Sequence, residues 1–336
     1  MKLIFTIILL IGLGRLQAQQ SDFKHISFDK ADRIALTHKD ESLKNLPELT
    51  YKLTKGLATD VEKFRAIYKW VCISVSNDYN LWDLNESKRS RFKNKTEKLE
   101  QWNAKIKKKL YQNLLKRKQT ICSGYAFLLK DLCELAGLRV EVIHGFGRTA
   151  YTNLNKNSKP NHSWNSVYLN EKWYLVDATW ASGKQNPITF EFEFDYSDGY
   201  FLAHPQLFKT NHFPIDLKWQ LIGNETFTFQ SFLAAPLFYR DGFIFIEEPA
   251  RLHKFHTNIN ISETGKFSYK FKIPIDSKSL VFQLDDGVQV TKIYPEIDIR
   301  NETTVLSYRF EHTGFYDVHL LYNDTYLATY TYKVVP

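Results

Sequence analysis

The chain has 336 residues, of which 43% are hydrophobic, 15% aromatic and 24% charged, a globular composition with enough apolar surface for two cored domains. With 14 Gly and 10 Pro it is neither collagen-like nor linker-rich, and three cysteines exclude a disulfide-built scaffold and an all-cysteine zinc site. The net charge of +8 is local rather than general, as the basic stretch described below shows.

Residues 1–18 read as a cleavable secretory leader. Lys2 is the positive start, Leu3 to Leu13 an apolar run, and Leu16-Gln17-Ala18 ends in the small residue a signal peptidase requires. The run is shorter than the ~20 apolar residues that span a bilayer, which makes an uncleaved anchor the weaker alternative. No later segment is apolar enough to span. The mature chain is therefore expected to be exported, periplasmic in a Gram-negative cell and otherwise extracellular, with no transmembrane span.

Two units are expected, 19–223 and 224–336. In the first, Asp60 is placed to cap a helix running through Phe64, Ile67, Tyr68 and Val71. Between Lys88 and Lys118 thirteen Lys or Arg stand against Glu97 and Glu100. Leu99, Trp102, Ile106 and Leu110 recur there at helical spacing, which predicts a helix with one apolar face and a basic remainder. A nucleic-acid or anionic surface is one reading of that charge; a solvated helix packed through its apolar stripe is the simpler one. No nucleic-acid motif accompanies the charge, and nucleic acid is not expected as a partner.

A buried helix is predicted from Cys122 to Ala136, apolar most of the way round, with Gly137 in a left-handed C-terminal cap. Strands follow over 140–143, 162–169 and 172–179, the last two joined by Asn170-Glu171. The Asn- and Lys-rich stretch 145–160 is a loop, either solvent-facing or bordering a cleft. From 224 onward everything reads as strand. Phe267, Tyr269, Phe271 and Ile273 alternate; so do Tyr316, Val318, Leu320 and Tyr322, which meet Asn323-Asp324 and then Tyr326, Ala328, Tyr330, Tyr332 and Val334. Asp241-Gly242, Thr264-Gly265 and Asp286-Gly287 mark other turns. This predicts an all-β sandwich of immunoglobulin type. It shows no convergent polar cluster and is assigned no chemistry; an envelope partner for it stays open.

The hairpin fixes a testable geometry. With Asn170 and Glu171 as a two-residue turn, opposed positions sum to 341, so His162 faces Thr179 and Trp164 faces Asp177. His162 and Asp177 are then diagonal neighbours on one face, roughly 7–8 Å between backbones and bridgeable by side chains. A carboxylate there can orient an imidazole. Cys122 stands at the start of the buried helix, where the dipole and free N–H groups favour a thiolate. The three residue types suit a Cys–His–Asp relay; a structural cysteine and a core histidine are the alternative reading.

Thr120-Ile-Cys-Ser-Gly-Tyr-Ala126, His162-Ser-Trp-Asn-Ser-Val167 and Trp173-Tyr-Leu-Val-Asp-Ala-Thr-Trp180 resemble, in that order, the three core motifs of the transglutaminase-like superfamily. Glu62 to Trp70, Asn77-Asp78-Tyr79, Tyr200-Phe201-Leu202, His212-Phe-Pro214 and Lys218-Trp-Gln-Leu221 resemble its kyphoscoliosis-peptidase-like branch. The likeness covers about residues 28 to 222. It implies an α+β, papain-like core, a cysteine-bearing helix on an antiparallel sheet, ahead of the β-sandwich. It implies acyl transfer through a thioester, with Cys122 as nucleophile, His162 as general base and acid, and Asp177 as the orienting acid. The Cys122 N–H is one oxyanion donor; Gln119 is a weak second candidate. Trp164, Trp173 and Trp180 match motif aromatics, and Trp164 and Trp180 are candidates for a cleft wall. Ile121 replaces the commoner Val, and Ser123 stands where larger polar residues are frequent.

Cys122 and Cys133 lie eleven residues apart on one helix, ~16 Å, and cannot pair. A Cys72–Cys133 bridge after export and two packed thiols both remain open. His144, His204 and His212 show no zinc spacing, so no metal and no cofactor are expected. The reading is a secreted cysteine-dependent enzyme acting on protein or peptide amides, with hydrolysis, as a peptidase or amidase, favoured over crosslinking. The alternative is a non-catalytic binding or scaffolding protein that keeps the fold.

Overall fold

A computed structural model describes residues 19–250 and 254–336; the leader expected over 1–18 lies outside the described residues. The chain opens with helices α1 (Asp29–Thr37), α2 (Leu46–Thr54) and α3 (Asp60–Ser74). The cap of α3 is Thr59, not Asp60. Its hydroxyl accepts from the Glu62 N–H at 3.3 Å while the Glu62 carboxylate accepts from the Thr59 N–H at 2.9 Å. That reciprocal pair satisfies two donors where Asp60 would satisfy one. Phe64, Ile67, Tyr68, Trp70 and Val71 bury α3 on most sides. Its one buried charge, Arg65, is held by Asp32 of α1 (Nε to Oδ1, 2.6 Å) and by Asp198, with its guanidinium 4.7 Å from the Phe201 ring. A buried cation needs such pairing to be tolerated.

Strand β1 (Ser76–Asn77), α4 (Tyr79–Phe92) and α5 (Thr96–Arg117) follow. The basic segment is indeed helical: in α5, Ile106 and Leu114 are buried, and the Trp102 indole donates to Asn85 of α4 at 3.0 Å. Lys118, left-handed at φ 49°, turns the chain into β2 (Gln119–Thr120), which pairs in parallel with β1. Helix α6 (Cys122–Leu135) starts directly after it and ends before Gly137, whose φ of +75° is the predicted left-handed cap.

The sheet under α6 begins with β3 (Arg139–Gly147), β4 (His162–Leu169) and β5 (Lys172–Val176). Asn170 (φ 45°) and Glu171 (φ 64°) form the two-residue turn, and opposed positions run from Leu169–Lys172 to Asn165–Val176 with the expected register. The strand ends three residues sooner than the expected Thr179. Asp177 turns its side chain onto the Thr179 and Trp180 N–H groups and starts the short helix α7 (Ala178–Ser182). Beyond a small hairpin, β6 (Gly183–Gln185) with β7 (Phe192–Phe194), and helix α8 (Pro205–Phe208), strand β8 (His212–Pro214) returns to the sheet. The order is β5-β4-β3-β8, antiparallel throughout.

The segment 224–245 departs from the all-strand expectation. It holds α9 (Phe229–Leu233), the two-residue β9 (Leu237–Phe238) and α10 (Gly242–Phe245), so Asp241-Gly242 begins a helix. The strands proper are β10 (Ile246–Pro249), β11 (His256–Asn260), β12 (Thr264–Phe271), β13 (Leu280–Asp285), β14 (Val290–Ile293), β15 (Glu296–Arg300), β16 (Thr303–Arg309), β17 (Gly314–Tyr322) and β18 (Thr325–Val335). Thr264-Gly265 opens β12 instead of turning; the turn residue is Ser262, at φ 68°. Two sheets, β10-β12-β16-β15 and β11-β18-β17-β13-β14 with β9 on β18, are antiparallel except for β11 beside β18. Phe267, Tyr269 and Leu306 of the first sheet are buried with Phe282, Leu320 and Tyr330 of the second. The Tyr269 and Tyr330 hydroxyls pair at 2.6 Å, which satisfies both in the core. The apolar core continues between the units, where the Tyr200 and Phe243 rings lie 4.6 Å apart. Cys72 and Cys133 are free thiols within it, so the bridge left open by the sequence is not formed. Among the described residues no helix is long and apolar enough to cross a membrane.

Candidate active site

Cys122 is the first residue of α6. Ile121, at the N-cap position, is extended and gives no side-chain cap, while its carbonyl accepts from the N–H groups of Gly124 (2.8 Å) and Tyr125 (3.2 Å). The Cys122 N–H, in the first turn, has no intrahelical acceptor and faces the positive end of the helix dipole. Three contacts fix this helix start. The Tyr125 hydroxyl donates to the Val75 carbonyl at 2.5 Å, and the Asn165 amide of β4 donates to the Ala126 carbonyl at 3.0 Å. Gly124 sits on β2 so tightly that a Cβ there would lie 1.8 Å from the Thr120 hydroxyl. Gly124→Ala is therefore expected to lower stability by about 1–3 kcal/mol and to slow Cys122 alkylation, because α6 must lift off β2. A urea melt and an alkylation time course on the same preparation check both; an unchanged rate means the helix start tolerates the shift.

His162 opens β4 and is buried at 8% exposure. Gly147, on the neighbouring strand, leaves room for it, since a Cβ there would come 2.9 Å from the His162 Cβ. The imidazole stacks on Trp180 at 4.8 Å and 23°. Its Nε2–H donates to Asp177 Oδ2 at 2.6 Å, which leaves Nδ1 as the ring nitrogen for the Cys122 thiol. Burial alone would make the ring less basic. The Asp177 charge and hydrogen bond outweigh it, and with the Cys122 sulfur acting on the same ring they raise the His162 pKa to about 10. Asp177 is fully buried, and burial would raise its pKa; His162 and then His212 instead hold the carboxyl well below the usual range. All its lone pairs are used: Oδ1 accepts from the N–H groups of Thr179 (2.8 Å) and Trp180 (3.1 Å), and Oδ2 from two imidazoles.

The second imidazole is His212 of β8, which sequence reasoning missed as a site residue. Its Nε2–H donates to Asp177 Oδ2 at 3.0 Å, and its ring stacks on Phe208 at 3.8 Å. In the sequence it shows only as part of the His212-Phe-Pro214 segment. Three-residue strands carry no usable period, and nothing local announces that β8 reaches β3. His162, Asp177 and His212 each bring a ligand atom within 4.8 Å of the others, a set that a divalent ion could in principle use. The contacts of 2.6 and 3.0 Å to one carboxylate oxygen are hydrogen-bond lengths. Two ligands ~2.0–2.1 Å from a tetrahedral ion stand about 3.3 Å apart, so the donor set as arranged does not fit a metal.

Cys122 and His162 line an open cleft of about 1930 Å³. Its far wall is α5, with Lys107, Leu110, Tyr111 and Leu114, so the basic helix turns part of its apolar stripe toward the thiol. Phe127 and Leu135 of α6 supply the near wall, and Pro160 and Asn161 bring the end of the 145–160 loop to the rim. The weaker sequence candidates stand elsewhere. Gln119 pairs through β2 with β1 and is not among the lining residues. Trp164 is 1% exposed and packs on Phe208 and His212, behind the His162 ring at 6.0 Å, and is not among the lining residues. Trp180 reaches the site through the His162 ring, not the cleft wall.

Residues 47–178, which hold Cys122, His162 and Asp177, match the family model of the Transglutaminase-like superfamily. The N-terminal unit is a transglutaminase-like domain. Its curated relatives include the human kyphoscoliosis peptidase, 34% identical over 197 residues, which are 58% of this chain and 27% of that protein. Hillarin of Drosophila melanogaster is 26% identical over 279 residues, 76% of this chain and 30% of that protein. The Lim and transglutaminase domain protein ltd-1 of Caenorhabditis elegans is 24% identical over 277 residues, 76% of this chain and 34% of that protein. The 34% identity to the human kyphoscoliosis peptidase supports the kyphoscoliosis-peptidase-like branch for this domain. The chain spans only about a quarter to a third of their length. The Lin-41 filamin domain aligns with 23% of this chain and 81% of its own at 11% identity, with a TM-score of 0.18, too low to carry an argument.

Proposed function

We propose that the transglutaminase-like domain is a cysteine-dependent acyl-transfer enzyme acting on protein or peptide amides. One observation carries the reading: His162 Nε2 is held by a buried, saturated carboxylate, so that Nδ1 is left for Cys122 at the floor of an open cleft. In the first half-reaction the Cys122 sulfur bonds to the amide carbonyl carbon, and the C–N bond breaks as His162 gives its proton to the leaving amine. The Cys122 N–H stabilises the oxyanion between these events. In the second, a water gives its proton to His162 and its oxygen to the thioester carbon, releasing a carboxylic acid and the thiol. Water has free access to a cleft this open, which supports hydrolysis, peptidase or amidase, over transfer to a second amine. Export of the mature chain after residue 18 belongs to the same proposal and is read by N-terminal sequencing of the secreted protein.

The test is the pH dependence of Cys122 alkylation, followed by mass spectrometry in the wild type and in His162→Ala. Cys72 and Cys133 are internal controls, since burial pushes both thiols well up. An ordinary thiol reacts fully only above about pH 8.5. Cys122 is expected to react rapidly at about pH 6–7, and His162→Ala to slow it by at least about tenfold there. If Cys122 is inert to about pH 8.5 and the substitution changes nothing, the acyl-transfer reading fails and a scaffold keeping the fold takes its place. Incorporation of a labelled amine into a glutamine-bearing protein would favour crosslinking over hydrolysis.

A further inference from the structure

His212 is a buried group, in contact with the site, that the acyl-transfer scheme does not use. It is 1% exposed, and both of its ring nitrogens are engaged. Nε2 meets Asp177 Oδ2 at 3.0 Å, on the oxygen that also receives His162 at 2.6 Å. Nδ1 meets the Asn211 side-chain oxygen, Oδ1, at 2.7 Å. An ionised carboxylate only accepts, so both imidazoles must present Nε2–H to it. Burial lowers the His212 pKa to about 4 against the pull of Asp177, so the ring is neutral at pH 7. Nδ1 is then an acceptor, and it pairs with Asn211 only when the amide exchanges its ends, setting Nδ2–H where Oδ1 now stands. The ring is clamped in this tautomer by stacking on Phe208 and by Trp180 at 4.4 Å and Trp164 at 5.0 Å. The other titratable groups around the cluster are Tyr68 and Cys72 of α3, Tyr125 of α6, and Tyr200. Burial raises the pKa of each, so they stay neutral.

We propose that His212 is a positioning residue of this site: as a neutral donor it shares the Asp177 carboxylate with His162 and so limits how tightly that carboxylate holds the His162 proton. The proposal rests on the acyl-transfer reading for its purpose, not for its geometry. A general acid must release its proton to the leaving amine, and an imidazolium bound by an unshared buried carboxylate would release it reluctantly. A charged second histidine would instead repel the imidazolium. A neutral one withdraws electron density from Oδ2 without adding a competing cation.

The test is imidazole ¹⁵N NMR of His162 and His212 in the Cys122→Ala background, which removes turnover and the thiol's own pull on the ring. The titration is therefore read whether or not the domain is an enzyme, and failure of the acyl-transfer reading shows up only in Cys122 alkylation. In His212→Phe, which keeps an aromatic in the stack but has no donor, the His162 midpoint is expected to rise by about one pH unit, the size of a hydrogen bond to a charged acceptor. His212→Gln, whose amide N–H can reach the same oxygen, should return it most of the way. A folded His212→Phe with an unmoved His162 midpoint overturns the proposal. Should that variant fail to fold, the parent spectrum decides: a neutral His212 carrying its proton on Nε2 from about pH 5 to about pH 8 supports it, and a ring protonated on Nδ1 alone overturns it.

Discussion

Asp177→Asn is expected to silence Cys122 while leaving the outline of the site intact. The asparagine oxygen can still accept from the Thr179 and Trp180 N–H groups, so the start of α7 survives. The amide nitrogen then points at the place where two imidazoles now donate. Two donors cannot pair with a third. Each ring relieves the clash by moving its proton to Nδ1, which for His162 is the nitrogen needed by Cys122. A wrong tautomer of this kind in a Ser-His-Asp relay costs roughly 10⁴ in turnover. A loss of about that order, and alkylation at neutral pH no faster than in His162→Ala, is the expected result here. Asp177→Ala goes further. It leaves two buried imidazoles and two backbone donors unmatched, and removing one partner of a buried pair typically costs about 3–5 kcal/mol. Urea melts of the two variants should therefore separate them, with alanine much the less stable. An Asp177→Asn protein that keeps fast Cys122 alkylation would show that the carboxylate does not set the tautomer.

The parts of this site legible in the sequence are those with local causes. Asn170 and Glu171 are a two-residue turn between alternating strands, and counting back from it puts His162 and Asp177 on one face as long as no bulge intervenes; the register holds as far as Asn165–Val176. Gly137 and the apolar run behind it give the buried helix, and the helix gives Cys122 its position. The misses have non-local causes. The strand after the turn stops at Val176 because Asp177 prefers to cap α7, and that choice depends on α7 finding room beside α3, where the Tyr68 hydroxyl donates to the Asp177 carbonyl at 3.1 Å. His212 joins the site only because three residues of β8 close the sheet against β3. The cleft wall is another such case. The periodicity of Leu99, Trp102, Ile106 and Leu110 predicts α5 and its apolar face, but not that part of that face stands across a groove from Cys122. The all-strand reading of 224–245 fails for the opposite reason. Its aromatics are core residues of short helices, such as Phe232 and Phe243, buried between the two units and not along one sheet.

Stability is expected to peak near pH 6.5 and to fall on both sides, for reasons that lie in the same cluster. An unfolded histidine titrates near 6.5, whereas folded His162 keeps its proton until about 10. Above pH 6.5 the folded chain therefore holds a proton that the unfolded chain has released, and stability falls as pH rises. From 6.5 to 8 this loss amounts to about 1.5 kcal/mol. Beyond pH 8 it is opposed by Lys272, which burial lowers to about 8 and which therefore favours folding as pH rises. On the acid side the sign reverses. Burial holds His212 and His204 neutral down to about 4, so between 6.5 and 4 they take up protons only on unfolding, and stability falls as pH falls. Below that, the depressed Asp177 adds to the loss once protons compete for its carboxylate. Urea melts at about pH 5, 6.5 and 8 measure both limbs. His162→Ala is expected to be less stable throughout and to flatten the alkaline limb, while His212→Phe should lessen the slope of the acid limb only. A wild-type protein whose stability is level or rising between about pH 6.5 and 8 would mean that His162 is neutral in the folded state.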